Sequence, residues 1–277
     1  MLFTVLWLAC AEEPKPADGE RTCNGSAALC DRPFDEVAIG VAHNAMNAED
    51  EGFSFPNQHF GYEAQVEAGI RGFMLDVHDD DGVPSLCHGS CGLGSEPLSV
   101  GLERFAALLD SHPDDVFVFV VEDHVDQEPI VAAFEAAGLV DVVVPEIQST
   151  WPTLGEMIDD GARLLVTHEA ERPGSPAWYP ATYTLAWDND YSAQTVDDFD
   201  CAVLRGDPDH DVFLLNHFLT QTVGSASLAE AANPYDVVMD HVNRCEAETG
   251  DLVSWLAVDF YDLGDPLGVV DALNARR

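Results

Sequence analysis

The fold of this chain is first visible in Val37-Ala38-Ile39-Gly40-Val41-Ala42, an apolar, β-prone run that ends directly before His43 and Asn44. A short apolar run bounded by polar and turn-forming residues is typical of a buried strand. Seven similar runs follow it along the chain. The eight predicted strands cover residues 37–42, 72–77, 83–87, 115–121, 163–167, 184–187, 211–216 and 255–260.

Segments with helical periodicity separate most of these runs. Apolar residues recur at helical spacing in the segments 98–109, 130–137, 154–158, 235–245 and 267–273. Strands that alternate with helices predict βα units and a parallel sheet, and eight such strands predict a closed barrel. The second and third runs lie too close together for a helix between them. The sequence therefore predicts an α/β fold, an irregular TIM (β/α)8 barrel.

Length and charge limit the function classes. The chain has 277 residues with 47% apolar content, which is enough for one barrel domain. Its 51 acidic residues oppose 11 basic ones, a net charge of -40 that is spread along the chain. Nucleic acid is therefore excluded as a partner. The same charge would repel anionic lipid surfaces unless salt or divalent cations screened it, although simple solubility explains it equally well.

The first residues suggest export. Residues 1–10 are almost wholly apolar up to Trp7-Leu8-Ala9-Cys10, which resembles a lipoprotein-type signal with Cys10 as the lipidated anchor. Residues 11–21 are charged and proline-containing, typical of a flexible tether, and residues 22–277 would form the barrel. The apolar run is too short to cross a bilayer. We expect an exported monomer, held at the outer membrane or cell surface by its lipid or, with a plain secretory leader, secreted.

The cysteines support export, because six remain once Cys10 is set aside. We expect three disulfides, which pair Cys23 with Cys30, Cys87 with Cys91, and Cys201 with Cys245. A zinc site at Cys87, His88 and Cys91 is the alternative for the middle pair. It is disfavoured because no second ligand pair completes four ligands at a usual spacing.

Polar residues stand at the downstream end of every predicted strand. In a parallel barrel these ends form the catalytic face. Any one of them could be a helix cap or a hydrogen-bonded core residue, but their recurrence predicts a site. They are His43 and Asn44, Asp76 and His78, His88, Glu122 and Asp123, His168, Asp188, His217, and Asp259.

These residues suit the cleavage of a phosphodiester. Such a reaction needs a base for the attacking hydroxyl, an acid for the leaving alkoxide and positive charge near the phosphate oxygens. His43 and His88 can supply both proton roles, since imidazoles titrate near neutral pH. Asn44, Asp76 and Glu122 offer oxygen ligands, which favour Ca²⁺ over zinc.

Seven motifs, taken in order and spacing, resemble one known family. They are Cys23-Asn24-Gly25 with Leu29-Cys30-Asp31, Ala42-His43-Asn44-Ala45-Met46, Gly69-Ile70-Arg71-Gly72-Phe73-Met74-Leu75-Asp76, Leu86-Cys87-His88-Gly89, Val121-Glu122, Leu215-Asn216-His217-Phe218 and Val258-Asp259-Phe260-Tyr261. Over roughly residues 22 to 275 the chain resembles the X domain of phosphatidylinositol-specific phospholipase C, and more narrowly the secreted bacterial and fungal phosphodiesterases of that type.

The resemblance implies a role for each matched residue. His43 would activate the inositol 2-hydroxyl as the base, His88 would protonate the departing diacylglycerol as the acid, and Asp259 would hold His43 in its working tautomer. In calcium-dependent members, positions matching Asn44, Asp76 and Glu122 ligate the metal.

Two positions depart from the family pattern. Met74 replaces the first acid of the calcium-binding pair, and His78 stands where calcium-independent bacterial members carry an arginine. We expect His78, Asn216 and His217 to contact substrate, with core hydrogen bonding as the alternative for the last two.

The sequence thus predicts a phosphoric diester hydrolase, with an inositol phospholipid or another small phosphodiester as substrate. Two alternatives stay open. The departure at Met74 is compatible with a non-catalytic surface binding protein that keeps the barrel. A glycerophosphodiesterase-like hydrolase lacks support, because its usual His-Arg-Gly and Glu-x-Asp signatures are missing.

Overall fold

The computed structural model describes residues 21–147, 149–170, 172, 174–221 and 224–277. The predicted signal with Cys10, and all of the predicted tether except Arg21, lie outside the described residues. Arg21 itself contacts the barrel, since its guanidinium is paired with Asp159 at 2.9 Å and donates to the carbonyl of Gly155.

The described residues form ten strands and seven α-helices. The strands are β1 (Ile39–Ala42), β2 (Gly72–Asp80), β3 (Val83–Leu86), β4 (Glu96–Pro97), β5 (Phe117–Asp123), β6 (Leu164–His168), β7 (Ala186–Asn189), β8 (Val203–Arg205), β9 (Val212–Asn216) and β10 (Val253–Val258). The helices are α1 (Tyr62–Ala68), α2 (Leu98–Ser111), α3 (Gln127–Ala136), α4 (Leu154–Asp159), α5 (Ala226–Ala232), α6 (Tyr235–Thr249) and α7 (Pro266–Arg276). None of these helices has the length and hydrophobicity needed to span a membrane.

Seven strands pair in parallel, in the order β6-β5-β2-β1-β10-β9-β7. This is the predicted irregular barrel. Its irregularity lies between β6 and β7, which share no ladder in the described part of the chain. A single parallel bridge joins His168 to Ala181 in that interval.

The prediction of eight barrel strands was wrong in one strand. β3 runs antiparallel to β2, with Val77 opposite Leu86 and Asp80 opposite Val83. Only Asp81 and Gly82 separate the two strands, and both have positive φ, as a tight hairpin turn requires. A connection this short can only reverse the chain, because a parallel crossover needs a dozen or more residues. β3 therefore carries His88 to the barrel mouth from outside the parallel set.

Alternation along the strands builds two apolar layers. On β2, Phe73, Leu75 and Val77 pack against the helices, whereas Met74 faces the barrel interior. The interior cluster also contains Val41, Val120, Leu214 and Ala257 from the neighbouring strands. Because successive strand residues point to opposite faces, the residue two positions further on also points inward. At the carboxyl ends these inward residues are His43, Asp76, Glu122, Asn216 and Asp259.

The three predicted disulfides are confirmed. Cys23 is joined to Cys30, Cys87 to Cys91, and Cys201 to Cys245. The alternative of a zinc site at His88 is therefore wrong for this structure, because both neighbouring sulfurs are bonded to each other. The third disulfide ties α6 to the segment after β7 across 44 residues.

Candidate active site

A cavity of about 250 Å³ lies at the carboxyl ends of the parallel strands. Its wall contains the two predicted catalytic histidines, His43 and His88, together with Asp259. His43 follows β1, Asp259 follows β10 and His88 follows β3. The barrel therefore brings together three residues that are distant in sequence, as the catalytic-face prediction required.

His43 and Asp259 form a hydrogen-bonded pair. Nδ1 of His43 is 2.8 Å from a carboxylate oxygen of Asp259, whose side chain is only 7% exposed. The Asn57 amide donates to both oxygens of that carboxylate at 3.1 Å, and the Phe218 ring stacks on the His43 imidazole with centroids 3.7 Å apart. The imidazole is thus fixed on one edge and one face, and a neutral ring leaves Nε2 without a proton.

His88 has an aspartate of its own. Its Nδ1 lies 2.8 Å from Asp76, whose side chain is 5% exposed, while the imidazole is 48% exposed. The hydrogen bond to Asp76 is the largest cause of a raised pKa of His88, and the charges of Asp76, Glu122 and Asp259 act in the same direction. This pair therefore favours the protonated imidazole, which is the form a general acid needs.

The Asn44 side chain connects the two pairs. One of its terminal amide atoms lies 3.2 Å from Nε2 of His43, and the other lies 3.0 and 3.2 Å from the oxygens of Asp76. With nitrogen towards Asp76 the amide donates to that carboxylate, and its oxygen can accept a hydrogen bond from a protonated Nε2 of His43. With nitrogen towards His43 it donates to an unprotonated Nε2, but its oxygen then faces the carboxylate.

Two residues beside the site have left-handed backbones. Asn44 follows His43 with φ 47°, and Phe260 follows Asp259 with φ 44°. Asn tolerates this region because its short polar side chain can hydrogen-bond to nearby backbone, whereas a bulky residue such as Phe rarely adopts it. The chain thus turns sharply after each member of the His43 and Asp259 pair, a feature that often accompanies functional sites.

The predicted calcium ligands have imidazole partners. Asp76 is bonded to His88, and the Glu122 carboxylate is paired with His124 at 2.8 Å. The thioether of Met74 also lines the cavity, and it is a poor ligand for a hard cation such as Ca²⁺. These residues fit the hydrogen-bonded arrangement better than they fit a calcium shell, and calcium binding stays a prediction.

The prediction that His217 contacts substrate was wrong. Its side chain is fully buried, with Nε2 bonded to the carbonyl of Ala232 at 2.8 Å and Nδ1 to His241 at 2.8 Å. The physical reason is strand parity, since His217 continues the outward series of Phe213 and Leu215. Asn216, one position earlier, does line the cavity as predicted.

His78 lies on the rim, outside the wall of the cavity. Its ring stacks on His124 with centroids 4.0 Å apart, and burial together with the neighbouring His124 lowers its pKa. His78 is not part of this cavity wall, and its contact with substrate stays a prediction. His78 lies on β2, and the His124 ring that it contacts directly follows β5.

The opposite wall contains a charged cluster of which sequence reasoning named only Asp188. Arg205 enters the cavity from β8, and its guanidinium is paired with Asp188 and, at 2.7 Å, with Glu169. Tyr183 and Tyr191 lie under the guanidinium with ring centroids 4.5 and 4.9 Å away. The alternation of inward and outward residues along β7 and β6 could have identified Asp188 and Glu169 as inward-facing. Arg205 lies on the short strand β8, whose sequence shows no strong strand pattern.

Burial dominates the titration of Glu169. It raises the pKa of this carboxyl to about 7, although the charge of Arg205 acts in the opposite direction. The cavity wall thus contains a carboxyl group that burial shifts towards its protonated form. A protonated carboxyl can donate as well as accept hydrogen bonds, which suits a polyol or a phosphate oxygen.

The chain matches known proteins over most of its length. The family model described as PI-PLC X 1 matches residues 29–274. An uncharacterized secreted protein of Arthroderma benhamiae is 27% identical over 96% of this chain and 66% of its own length. The PI-PLC X domain-containing protein 1 of the same organism is 30% identical over 75% of this chain and 72% of its own length. A PI-PLC X domain-containing protein of Arabidopsis thaliana is 25% identical over 87% of this chain and 62% of its own length.

Solved structures agree on the fold. One structure of the phosphatidylinositol-specific phospholipase C of Staphylococcus aureus covers 89% of this chain and 94% of its own, with a TM-score of 0.63 and 14% identity. Another, of a double mutant of that enzyme, has a TM-score of 0.60 and 13% identity. At this identity the likeness concerns the barrel alone. The family match over residues 29–274 goes further: this chain belongs to the PI-PLC X domain family.

Proposed function

We propose that this protein is a phosphoric diester hydrolase that cleaves a phosphodiester by acid-base catalysis. One observation carries the proposal. His43 and His88 line the same cavity, and each holds its Nδ1 2.8 Å from a buried aspartate, which leaves Nε2 of each ring as the atom that can exchange a proton with a substrate. Two oriented imidazoles are what a paired base and acid require.

The two histidines divide the proton transfers. Asp259 accepts a hydrogen bond from the Nδ1–H of His43, so Nε2 of the neutral ring is the base that takes the proton of the attacking hydroxyl. His88 is the acid, because Asp76 favours its imidazolium form. The hydroxyl oxygen forms the new bond to phosphorus, the bond to the leaving alkoxide breaks, and the alkoxide receives the His88 proton. The amide oxygen of Asn44 can then accept a hydrogen bond from the protonated Nε2 of His43.

Membership of the family supports an inositol phospholipid as the proposed substrate. An inositol phospholipid has a hydroxyl next to its phosphodiester, so attack by that hydroxyl would give a cyclic phosphate and release diacylglycerol. Asn216, Glu169 and Arg205 offer hydrogen-bonding groups to a polyol on the opposite wall. A substrate without a neighbouring hydroxyl would need water as the nucleophile, the glycerophosphodiesterase-like alternative.

Export and a lipid anchor belong to the same proposal. A relative described as a secreted protein and three disulfides are consistent with export. A diacylglycerol attached to Cys10 would hold the barrel close to a membrane surface. Cys10 lies outside the described residues, so labelling with a radioactive fatty acid and a Cys10→Ala variant would test this step.

The decisive experiment compares leaving groups. Purified protein is assayed on inositol phosphodiesters that release either an alkoxide or a nitrophenolate, with ³¹P NMR to detect a cyclic product. His43→Ala should lower kcat by about 10²- to 10⁴-fold on both substrates. His88→Ala should do so only for the alkoxide, because nitrophenolate leaves without being protonated.

The control is His112→Ala, which removes a histidine near the carboxyl end of α2, on the outer helical layer. This variant should keep full activity. Turnover unchanged by His43→Ala would overturn the two-histidine mechanism. Specific ligand binding with no turnover of any phosphodiester by the wild-type protein would favour a non-catalytic binding protein. Met74, which replaces an acid of the family's calcium-binding pair, is compatible with that alternative.

A further inference from the structure

Two buried side-chain amides, those of Asn57 and Gln58, contact the pair His43 and Asp259. They lie between β1 and α1, in a segment where the sequence predicted no site residue. Their exposed fractions are 3% and 0%, and Asn57 also lines the cavity. Burial of an amide is costly unless its donors and acceptors are satisfied, so the partners of these side chains indicate what they do.

The Asn57 amide is oriented by its surroundings. Its Nδ2 donates to both carboxylate oxygens of Asp259 at 3.1 Å, and its Oδ1 accepts from Nδ2 of Asn47 at 2.7 Å. A reversed amide would place its oxygen against the carboxylate and lose these bonds. The backbone amide of Phe260 also donates to the carbonyl of Asn57 at 2.7 Å. Asn57 therefore fixes both the carboxylate of Asp259 and the backbone directly after it.

Gln58 fixes the backbones that carry the same pair. Its Nε2 donates to the carbonyl of His43 at 2.8 Å and to the carbonyl of Val258 at 3.1 Å. Its Oε1 accepts from the backbone amide of Tyr261 at 3.2 Å. One side chain thus ties the residue that follows β1 to the end of β10 and to the turn beyond it.

We propose that Asn57 and Gln58 are positioning residues for the base of the reaction. Asn57 acts through the carboxylate of Asp259, which orients the imidazole of His43 by its 2.8 Å contact with Nδ1. Gln58 acts through the backbone of His43. The inference rests on the proposed function, since it takes His43 as the base. A misplacement of about 1 Å in a catalytic group can lower the rate about 10²-fold, so both amides should affect turnover without taking part in proton transfer.

Double-mutant kinetics on an inositol phosphodiester test these roles. Asn57→Ala should lower kcat about 10²-fold with little change in KM, and it should cause no further loss in an Asp259→Ala background. Gln58→Ala should lower kcat in the same way, with no further loss in a His43→Ala background. These dependences separate positioning from a general loss of stability.

Gln65→Ala is the matched control. The Gln65 side chain is also fully buried, and its Nε2 donates to two backbone carbonyls, those of Ala45 and Phe60. Neither carbonyl belongs to His43 or to residues 258–261. This variant loses a comparable set of buried hydrogen bonds and should keep the kcat of the wild-type protein.

The proton between His43 and Asp259 gives a readout that needs no turnover. Proton NMR should show the Nδ1–H of His43 far downfield, identified by its loss in Asp259→Ala. The signal should move or exchange faster with solvent in Asn57→Ala and stay unchanged in Gln65→Ala. Gly224→Ala is a second variant, which keeps every hydrogen-bonding group. A Cβ at Gly224 would lie 2.6 Å from Nδ2 of Asn57, so this change should shift the same signal.

Two results would overturn the proposal. One is an equal loss of kcat from Asn57→Ala in the wild-type and Asp259→Ala backgrounds, and the other is a downfield signal that neither Asn57→Ala nor Gly224→Ala changes. Circular dichroism checks that each variant folds. Absence of turnover by the wild-type protein would count against the proposed function instead, and the NMR comparison would still decide whether Asn57 positions the pair.

Discussion

Among single residues, the position of a side chain on its strand separates the catalytic groups from the structural ones. His43 and His217 both follow an apolar strand, and both looked like site residues. His43 continues the inward series of Val41, whereas His217 continues the outward series of Leu215. A shift of one residue moves a side chain to the other face of a sheet. Asn216 therefore lines the cavity, whereas the adjacent His217 is buried in the outer layer.

The pairing of His88 with Asp76 predicts a pH effect. Asp76 raises the pKa of His88 because a carboxylate stabilises the imidazolium. Asp76→Asn removes that stabilisation, so the acid form should be lost at lower pH and the alkaline limb of kcat/KM should move towards acid. The profile is measured in EGTA, and Asp79→Asn on the rim is the control. An alkaline limb that stays at the same pH would show that His88 is not the general acid.

At the level of elements, the β7–β8 hairpin adds a wall that the parallel barrel lacks. Asp188 and Arg205 pair across this hairpin, and the Asp188 side chain is fully buried. The hairpin thus carries a cation into a cavity that also contains Glu122, Glu169 and Asp259. It forms part of the wall that would contact the substrate headgroup.

Removal of Arg205 should destabilise the protein. Arg205→Ala leaves Asp188 buried without its partner, which costs about 3 to 5 kcal/mol for a pair of this kind. Arg21→Ala is the control. Its guanidinium pairs with Asp159, but these two side chains are 39% and 67% exposed, so we expect a much smaller loss than for Arg205→Ala. Urea unfolding measures both, and equal losses would contradict the role given to burial.

The disulfides differ in the length of chain that they close. Cys201–Cys245 spans 44 residues and Cys23–Cys30 spans 7. The chain-entropy model gives about 4 kcal/mol for the longer loop and about 2.5 kcal/mol for the shorter one. Replacing each pair with alanines and unfolding in urea should give losses in that order. A reversed order would point to packing as the larger effect.

For the whole molecule, net charge is the dominant global property. A charge of -40 opposes compaction through self-repulsion, which salt screens. Raising NaCl from about 0.05 M to about 0.5 M shortens the screening length from about 14 Å to about 4 Å. We expect Tm to rise over this range, as measured by thermal melting.

Calcium can be separated from this screening effect. Millimolar CaCl₂ is compared with MgCl₂ at the same ionic strength in the same melting experiment. Because Asp76 and Glu122 already pair with imidazoles, we expect the two salts to stabilise the protein equally. A larger rise with Ca²⁺ that Asn44→Ala removes would show that the predicted ligands bind the metal.

The sequence by itself predicted the barrel, the three disulfides and the pair His43 and His88. Strand periodicity and the motifs around each histidine are local properties of the chain. Two of the disulfides join cysteines that are close in sequence, and Cys201 and Cys245 are the two that remain. The sequence did not determine which partner each side chain takes. In the tertiary structure Asp76 is hydrogen-bonded to His88, and β3 pairs with β2 as a hairpin. The tertiary structure also buries His217 and brings Arg205 from a short edge strand into the cavity. Those outcomes depend on contacts between segments that are distant in sequence, and such contacts arise only when the strands pair and the inward and outward faces close.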